Sequence, residues 1–490
     1  VLPILLQAVV VCASCHPAEV KNYEAAPQPD GKLHHETSSS DVTITHNDKG
    51  VMVQRLSAHG LTAEYPVAYA VGAGKVGFSY LVSIAPYLFQ SPVSYYSQAG
   101  VWDVTPGYEH EGVLDFTHPI AEGCVFCHSN QVNLVPGTQN QFREPALAPI
   151  SCERCHGDTA AHLAKPVPGS IVNPAKLPQR ARDSVCEQCH LEGEARILNP
   201  GKKWQDFHAG AELESVFSTY LQRVSAAEGT KAVSHAEQLS LSRCARESGG
   251  KLWCGTCHNP HAASDNRPQQ VRETCLTCHA SLFSAKKHAP AEECVSCHMP
   301  PIRPSNVAHA AITNHLISIP AKQPVSDAKT VGARLTAWRT PALEFAERNL
   351  GLALFATGSI KDYGRIFQAY QILSHLPHRD AEVLATLGSI LLEQRHADYA
   401  VNLYRQALAA EPGNARYSFV LGSALYAQGD QAAAIAELRH SIQLDRSLPA
   451  PYVKLMEIYG KLKQPELSRQ VRDEYLKFMP QNMSFREAAQ

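Results

Sequence analysis

The chain has 490 residues, room for about three domains of ordinary size. Its 44 Lys+Arg against 46 Asp+Glu give a net charge of −2, which offers no electrostatic footing for nucleic acid or an anionic membrane as the main partner. Hydrophobic residues make up 44% and charged residues 18%, which excludes a largely disordered chain, and no apolar run approaches the roughly 20 residues of a membrane-spanning helix.

The chain opens on an apolar stretch, Val1 to Val11, that runs directly into Cys12-x-x-Cys15-His16. The same Cys-x-x-Cys-His pattern returns at Cys124-Cys127-His128, Cys152-Cys155-His156, Cys186-Cys189-His190, Cys254-Cys257-His258, Cys275-Cys278-His279 and Cys294-Cys297-His298. From the Cys and His frequencies, chance predicts roughly 0.02 such patterns. Two thiols at this spacing reach the two vinyl groups on one edge of a haem, and the adjacent imidazole falls under the iron as proximal ligand. The pattern predicts seven covalently attached haems c. Zinc is the competing reading, since Cys275/Cys278 and Cys294/Cys297 have zinc-ribbon spacing. Yet zinc asks for no His after each second Cys, and seven pairs cannot all combine into four-Cys sites. Covalent haem attachment takes place outside the cytoplasm, so the expected location is extracytoplasmic: periplasm, cell surface or extracellular space. Val1 to Val11 is then expected as a signal-peptide remnant, or as a segment that packs under its own haem or docks into a neighbouring subunit.

After His16 the patterning turns to β, predicting a β-rich insert over about 36–118. Val42-Thr43-Ile44-Thr45 and Val51-Met52-Val53-Gln54 flank a turn at Asn47-Asp48-Lys49-Gly50 and read as a hairpin. Further strand-like pieces, Tyr65 to Tyr80 and Val93 to Val104, are broken by Gly72-Ala73-Gly74 and followed by Pro106-Gly107. Six of the seven motifs then crowd into residues 121–320. That is too little chain to wrap each haem in its own apolar pocket, so the macrocycles are expected to press on one another and supply much of the core. Pro166-Val167-Pro168-Gly169 and Met299-Pro300-Pro301 argue for irregular connections.

Beyond about residue 320 no Cys remains and helical periodicity takes over. A repeat of about 34 residues appears. Leu387-Gly388, Ala400, Tyr404 and Ala407 are followed at that spacing by Leu421-Gly422, Ala434 and Leu438, then by Leu455, Ser468 and Tyr475. This is the tetratricopeptide pattern, two packed helices per repeat, with a degenerate copy expected over about Thr340 to Arg379. The predicted organisation is a seven-haem cytochrome domain over 1–320, a linker over 321–340 and a repeat domain over 341–490. The fold class is mainly α with a small β subdomain, followed by an α-solenoid. His375, His378, His396 and His440 lie in the repeats and are expected at the surface.

The haem-bearing region resembles multihaem cytochromes of the cytochrome c-554/nitrite-reductase-like superfamily, in versions fused to tetratricopeptide repeats. The matching residues are Val71-Gly72-Ala73-Gly74, Ser79-Tyr80-Leu81, Pro92-Val93-Ser94-Tyr95-Tyr96, Thr105-Pro106-Gly107-Tyr108 and Ile171-Val172-Asn173-Pro174, then Ser248-Gly249-Gly250-Lys251-Leu252, Cys254 to His261, Cys294 to Pro300 and Thr313-Asn314-His315. The resemblance implies His35, His162, His235, His261, His288, His309 and His315 as distal ligands opposite the proximal His16, His128, His156, His190, His258, His279 and His298. His34 rivals His35, and His46, His59, His110, His118 and His208 are further histidines of the region. Cys244 fits no motif; it reads as a buried thiol, with a single thioether link or an intermolecular disulfide as alternatives.

The expected function is electron transfer along a close-packed chain of haems, with no catalytic residues required. The repeats and the N-terminus would dock redox partners or further copies of the chain, in the extreme a haem filament. The alternative is a multihaem reductase or oxidase of small nitrogen or sulfur compounds with one open iron.

Overall fold

The computed structural model describes residues 12, 14–16, 28–72, 74–222, 230–261, 268–285, 294–318, 334–358 and 363–488. Val1 to Val11, His288 and most of the expected linker lie outside the described residues. Contacts divide the chain into two compact units. One joins the β-rich stretch up to Ala148 with the repeats from Leu343; the other holds Pro149–Ala342 together with the first Cys-x-x-Cys-His motif.

In the first unit, six antiparallel strands form a meander in chain order: β1 (Gly31–His35), β2 (Ser40–His46), β3 (Met52–Ala58), β4 (Leu61–Val71), β5 (Ser79–Ile84) and β6 (Tyr87–Gln90). The predicted hairpin is present, with His46 opposite Met52. Asn47 Oδ1 accepts from the N–H of Lys49 and of Val51, and Gly50 supplies a left-handed φ of 70°, the backbone geometry a Cβ disfavours. Two further hairpins follow, β7 (Val93–Tyr96) with β8 (Val101–Val104), and β9 (Gln131–Leu134) with β10 (Phe142–Ala148).

Alternation along the strands drives Val42, Ile44, Leu56, Ala63 and Tyr65 inward. The same core takes in Leu438, Ile442, Tyr452, Tyr475, Met479, Met483 and Phe485 from the repeats. Polar contacts close the seam. Gln481 exchanges two hydrogen bonds of 2.8 Å with the backbone of Glu64, and Arg486 donates to Thr62 O at 2.7 Å. Buried Asp115 accepts from the N–H of Met483, and the N–H of Gln139 donates to Asp445 at 2.9 Å. The β-rich stretch was expected inside the cytochrome domain; it shares its core with the repeats instead.

The repeats are pairs of antiparallel helices: Leu343–Thr357 with Tyr363–Ser374, Ala381–Glu393 with Ala397–Ala410, Ala415–Gln428 with Gln431–Leu444, and Pro449–Lys461 with Pro465–Phe478. The first pair is the degenerate copy. A Cβ on Gly388 would lie 2.8 Å from the Tyr404 ring, and one on Gly422 would lie 2.8 Å from Leu438 Cγ. Only glycine lets the two helices of each repeat come this close. Asp380, Asn414 and Asp430 cap helix N-termini through side-chain oxygens, satisfying N–H groups that have no partner inside the helix.

The second unit is irregular, as its proline-rich connections predict. It holds short helices, mostly at the motifs, and a small sheet of β11 (Ala195–Leu198), β12 (Phe217–Gln222) and β15 (Leu335–Ala337). A two-stranded ladder, β13 (Pro301–Ile302) with β14 (Ile312–Thr313), follows the seventh motif. Arg339 donates to buried Glu187 at 2.8 Å, tying the end of the unit to the helix Gln179–His190. Among the described residues no helix is long and apolar enough to cross a membrane.

Candidate functional site

The motifs share one local geometry. At His16, His156 and His258 the backbone N–H donates to the carbonyl of the first Cys of the same motif, at 2.8, 2.9 and 2.9 Å. His128, His190 and His298 each end a short helix that carries their motif, and His279 lies within the helix Pro268–Ala285. One helical turn brings both sulfurs to one side and sets the imidazole beside them, as attachment to a single macrocycle edge requires.

The attachment cysteines also meet across motifs. The thiols of Cys12 and Cys152, of Cys186 and Cys254, and of Cys275 and Cys294 approach within hydrogen-bonding reach. Burial raises the Cys12 thiol and pushes that of Cys275 up to about 12, while the hydrogen bond between Cys186 and Cys254 raises Cys186 and lowers Cys254. Each pair joins the first Cys of two motifs, so macrocycles attached there would lie edge to edge.

Several implied distal residues face proximal ones. The ring of His162 stacks over that of His16, with centroids 6.5 Å apart and planes inclined by 25°. His261 faces His156 at 5.9 Å and 16°, and His315 faces His258 at 6.0 Å and 22°. With metal–nitrogen bonds of about 2 Å, two imidazoles on opposite faces of one metal have centroids about 6 Å apart. His235 lies 5.2 Å from His190 and 4.8 Å from His315, edge-on to both.

Second contacts orient these rings. His156 Nδ1 lies 2.7 Å from Val172 O, His298 Nδ1 lies 3.0 Å from Ser318 O, and His315 Nδ1 lies 2.8 Å from Thr313 O. A carbonyl only accepts, so Nδ1 carries the proton and Nε2 presents its lone pair, the arrangement that metal-bound histidines use. His162 Nδ1 contacts Ser170 Oγ at 2.9 Å, and the N–H of His315 donates to Gln238 Oε1 at 2.8 Å. Burial, then the neighbouring His315, His190 and His258, bring His235 down to about 3, and burial likewise lowers His128 and His315. Each shift favours the neutral imidazole, the form a metal ligand takes. His235 Nδ1 is buried without a hydrogen-bond partner. The attachment turns, the ring spacing and this orphaned nitrogen fit haem c.

The other histidines take different places. His35 ends β1 with Nδ1 2.7 Å from Ser38 Oγ, and His309 adopts left-handed backbone, φ 53°, ahead of β14. His34, His46 and His59 pair with the carboxylates of Asp41, Asp30 and Glu487. His118 stacks on Tyr108 at 4.0 Å, and His208 Nδ1 lies 3.1 Å from Asp206 O. Cys244, read from sequence as a buried thiol, is only half-buried, and its Sγ lies 4.0 Å from Nε2 of His279. Sequence reasoning also missed the carbonyls of Val172, Thr313 and Ser318, because a backbone oxygen carries no signal of its own.

Known proteins match these regions piecewise. The family profile for cytochrome c554 and c-prime matches residues 108–157, that for the doubled CXXCH motif matches residues 247–284, and that for the tetratricopeptide repeat matches residues 386–449. Multiheme cytochrome MtrA of Shewanella baltica is 26% identical over 199 residues, covering 35% of this chain. This chain spans 57% of that curated relative's length. Among solved structures, an undecaheme cytochrome from the S-layer of Carboxydothermus ferrireducens is 15% identical, with a TM-score of 0.31, over 98% of this chain and 70% of that chain. The crystal structure of MamA is 18% identical, with a TM-score of 0.24, over 30% of this chain and 90% of that chain. Motifs and family profiles agree in matching the haem-attachment region of this chain to multihaem c-type cytochromes, and its C-terminal helix pairs match the tetratricopeptide repeat.

Proposed function

We propose that this protein carries seven haems c and passes electrons along them, outside the cytoplasm. The observation that carries the reading is the facing of imidazoles across the attachment turns: His162 over His16, His261 over His156 and His315 over His258. On this reading those three are distal ligands, and His235 serves the iron at His190, 5.2 Å away. Two imidazoles per iron leave no coordination position for a substrate, which suits a conduit rather than a reductase. The cysteine contacts pair the macrocycles at His16 with His156, at His190 with His258, and at His279 with His298. Edge-to-edge haems exchange electrons without a bound intermediary.

For the remaining irons, His35 shares a compact unit with His128, and His309 shares one with His298. The repeats would dock a redox partner or another copy of the chain, with a haem filament as the extended form. The testing experiment combines haem counting by intact mass, EPR of the oxidised protein and a carbon monoxide difference spectrum after reduction. Seven haems, low-spin iron and no carbon monoxide shift are expected. A stoichiometric high-spin signal that binds carbon monoxide would overturn the conduit in favour of an enzyme with one open iron.

A further inference from the structure

Cys244 is the one cysteine outside the seven motifs. It sits on the short helix Arg243–Glu247, directly after the helix His235–Leu241 that carries His235. Its sulfur lies 4.0 Å from Nε2 of His279, the nitrogen that a proximal histidine turns toward its iron. Charge on Cys244 is also felt at Cys275, the first attachment cysteine of the same motif. Sulfur, attachment cysteine and proximal nitrogen therefore converge on one place. Metal–thiolate and metal–imidazole bonds of about 2.3 and 2.0 Å hold opposed ligand atoms about 4.3 Å apart. The observed separation needs an adjustment of only about 0.3 Å to admit an iron between them. A haem held by the attachment turn Cys275-Cys278-His279 would supply that iron.

We propose that Cys244 is the sixth ligand of the haem iron held at Cys275-Cys278-His279, making that haem a thiolate/imidazole centre in a chain otherwise ligated by histidine. Ferric iron takes the thiolate, the S–H proton leaves to solvent, and no electron is transferred in the binding step. A thiolate pushes electron density onto the iron, so this haem has a lower potential than its imidazole-ligated neighbours and is the last on the chain to be reduced. The inference rests on the seven-haem reading, because it needs a haem at this motif.

The test uses the full haem-loaded protein as wild type, C244S and C244H. Peptide mapping by mass spectrometry first establishes the haem on Cys275 and Cys278. EPR and near-infrared magnetic circular dichroism of the oxidised protein then read the ligands. In the wild type one haem in seven is expected to give the narrow g-spread and the shifted charge-transfer band of thiolate/imidazole iron. C244S loses that component. C244H replaces it with a bis-imidazole signal at a higher potential, which separates a ligand change from a folding failure. A wild type with a haem at this motif, no thiolate signature and a C244S spectrum superimposable on its own overturns the proposal alone. An unmodified Cys275–Cys278 peptide overturns the seven-haem reading and the proposal together.

Discussion

A histidine that gives one ring nitrogen to a carbonyl has only the other left for a metal. His156 is held this way by Val172 O, and His261 faces it from a position more than a hundred residues later. The H261A variant is expected to turn one low-spin haem high-spin and to bind about one equivalent of carbon monoxide per chain after reduction, with the other haems unchanged in EPR. H162A should do the same at His16. An unchanged spectrum would remove that histidine from the ligand set. The Cys-x-x-Cys-His turns were legible because the pattern is local: Cys, Cys and His fall within one helical turn. Which histidine faces which motif was not legible, because His162 meets His16 and His315 meets His258 only through folding of the connecting chain. Nor did the sequence, which offered Cys244 as a buried thiol, a single thioether link or an intermolecular disulfide, place it beside His279, since the two lie 35 positions apart.

At the scale of elements, the repeats and the first hairpin followed their local rules. Asn47 and Gly50 make the hairpin turn by their own side-chain and backbone chemistry, and the small residues at Gly388 and Gly422 mark where paired helices touch. Alanine ordinarily favours a helix over glycine by about 1 kcal/mol. At Gly388 the added methyl meets the ring of buried Tyr404, so G388A is expected to destabilise its repeat by about 1–3 kcal/mol. Faster hydrogen exchange over Ala381–Ala410 would report it. Asp380 does two jobs: it caps Val383 N–H and takes Arg348 Nε at 2.6 Å. Arg348 is buried, so D380A removes a cap and strips one partner from a buried cation. A loss of about 3 kcal/mol is expected, read as loosened exchange in both Leu343–Thr357 and Ala381–Glu393.

At the scale of the whole molecule, a boundary drawn along the sequence misjudged which parts share a core. Nothing local to Val42 or Tyr65 says that they pack with Tyr475 and Phe485, more than four hundred residues on. Removing residues 343–490 is therefore expected to leave the β-rich stretch aggregated or protease-sensitive rather than free-standing, as limited proteolysis would show. The seam also titrates. Burial pushes the Asp115 carboxyl up to about 6, against the opposing pull of the N–H groups of Phe116, Met483 and Ser484. A raised carboxyl favours the protonated folded state. Its stabilising contribution is complete below about pH 4 and is lost as pH rises through about 6, a change on the order of 3 kcal/mol. D115N should flatten that dependence, measured as exchange at Met483–Glu487 between pH 4 and 7. A wild type whose seam tightens as pH rises over this range would show the carboxylate to be the favoured form.

The thiols that meet across motifs also bear on how such a protein can be made. Cys186 and Cys254 come within hydrogen-bonding reach of each other on folding. In an oxidising compartment a folded but haem-free chain would join such thiols as disulfides and consume the sulfurs that the vinyl groups need. Maturation on the multihaem reading would therefore run against the usual order of fold first, cofactor later. Each haem would be linked while the chain is still open, before folding brings thiols such as Cys186 and Cys254 together.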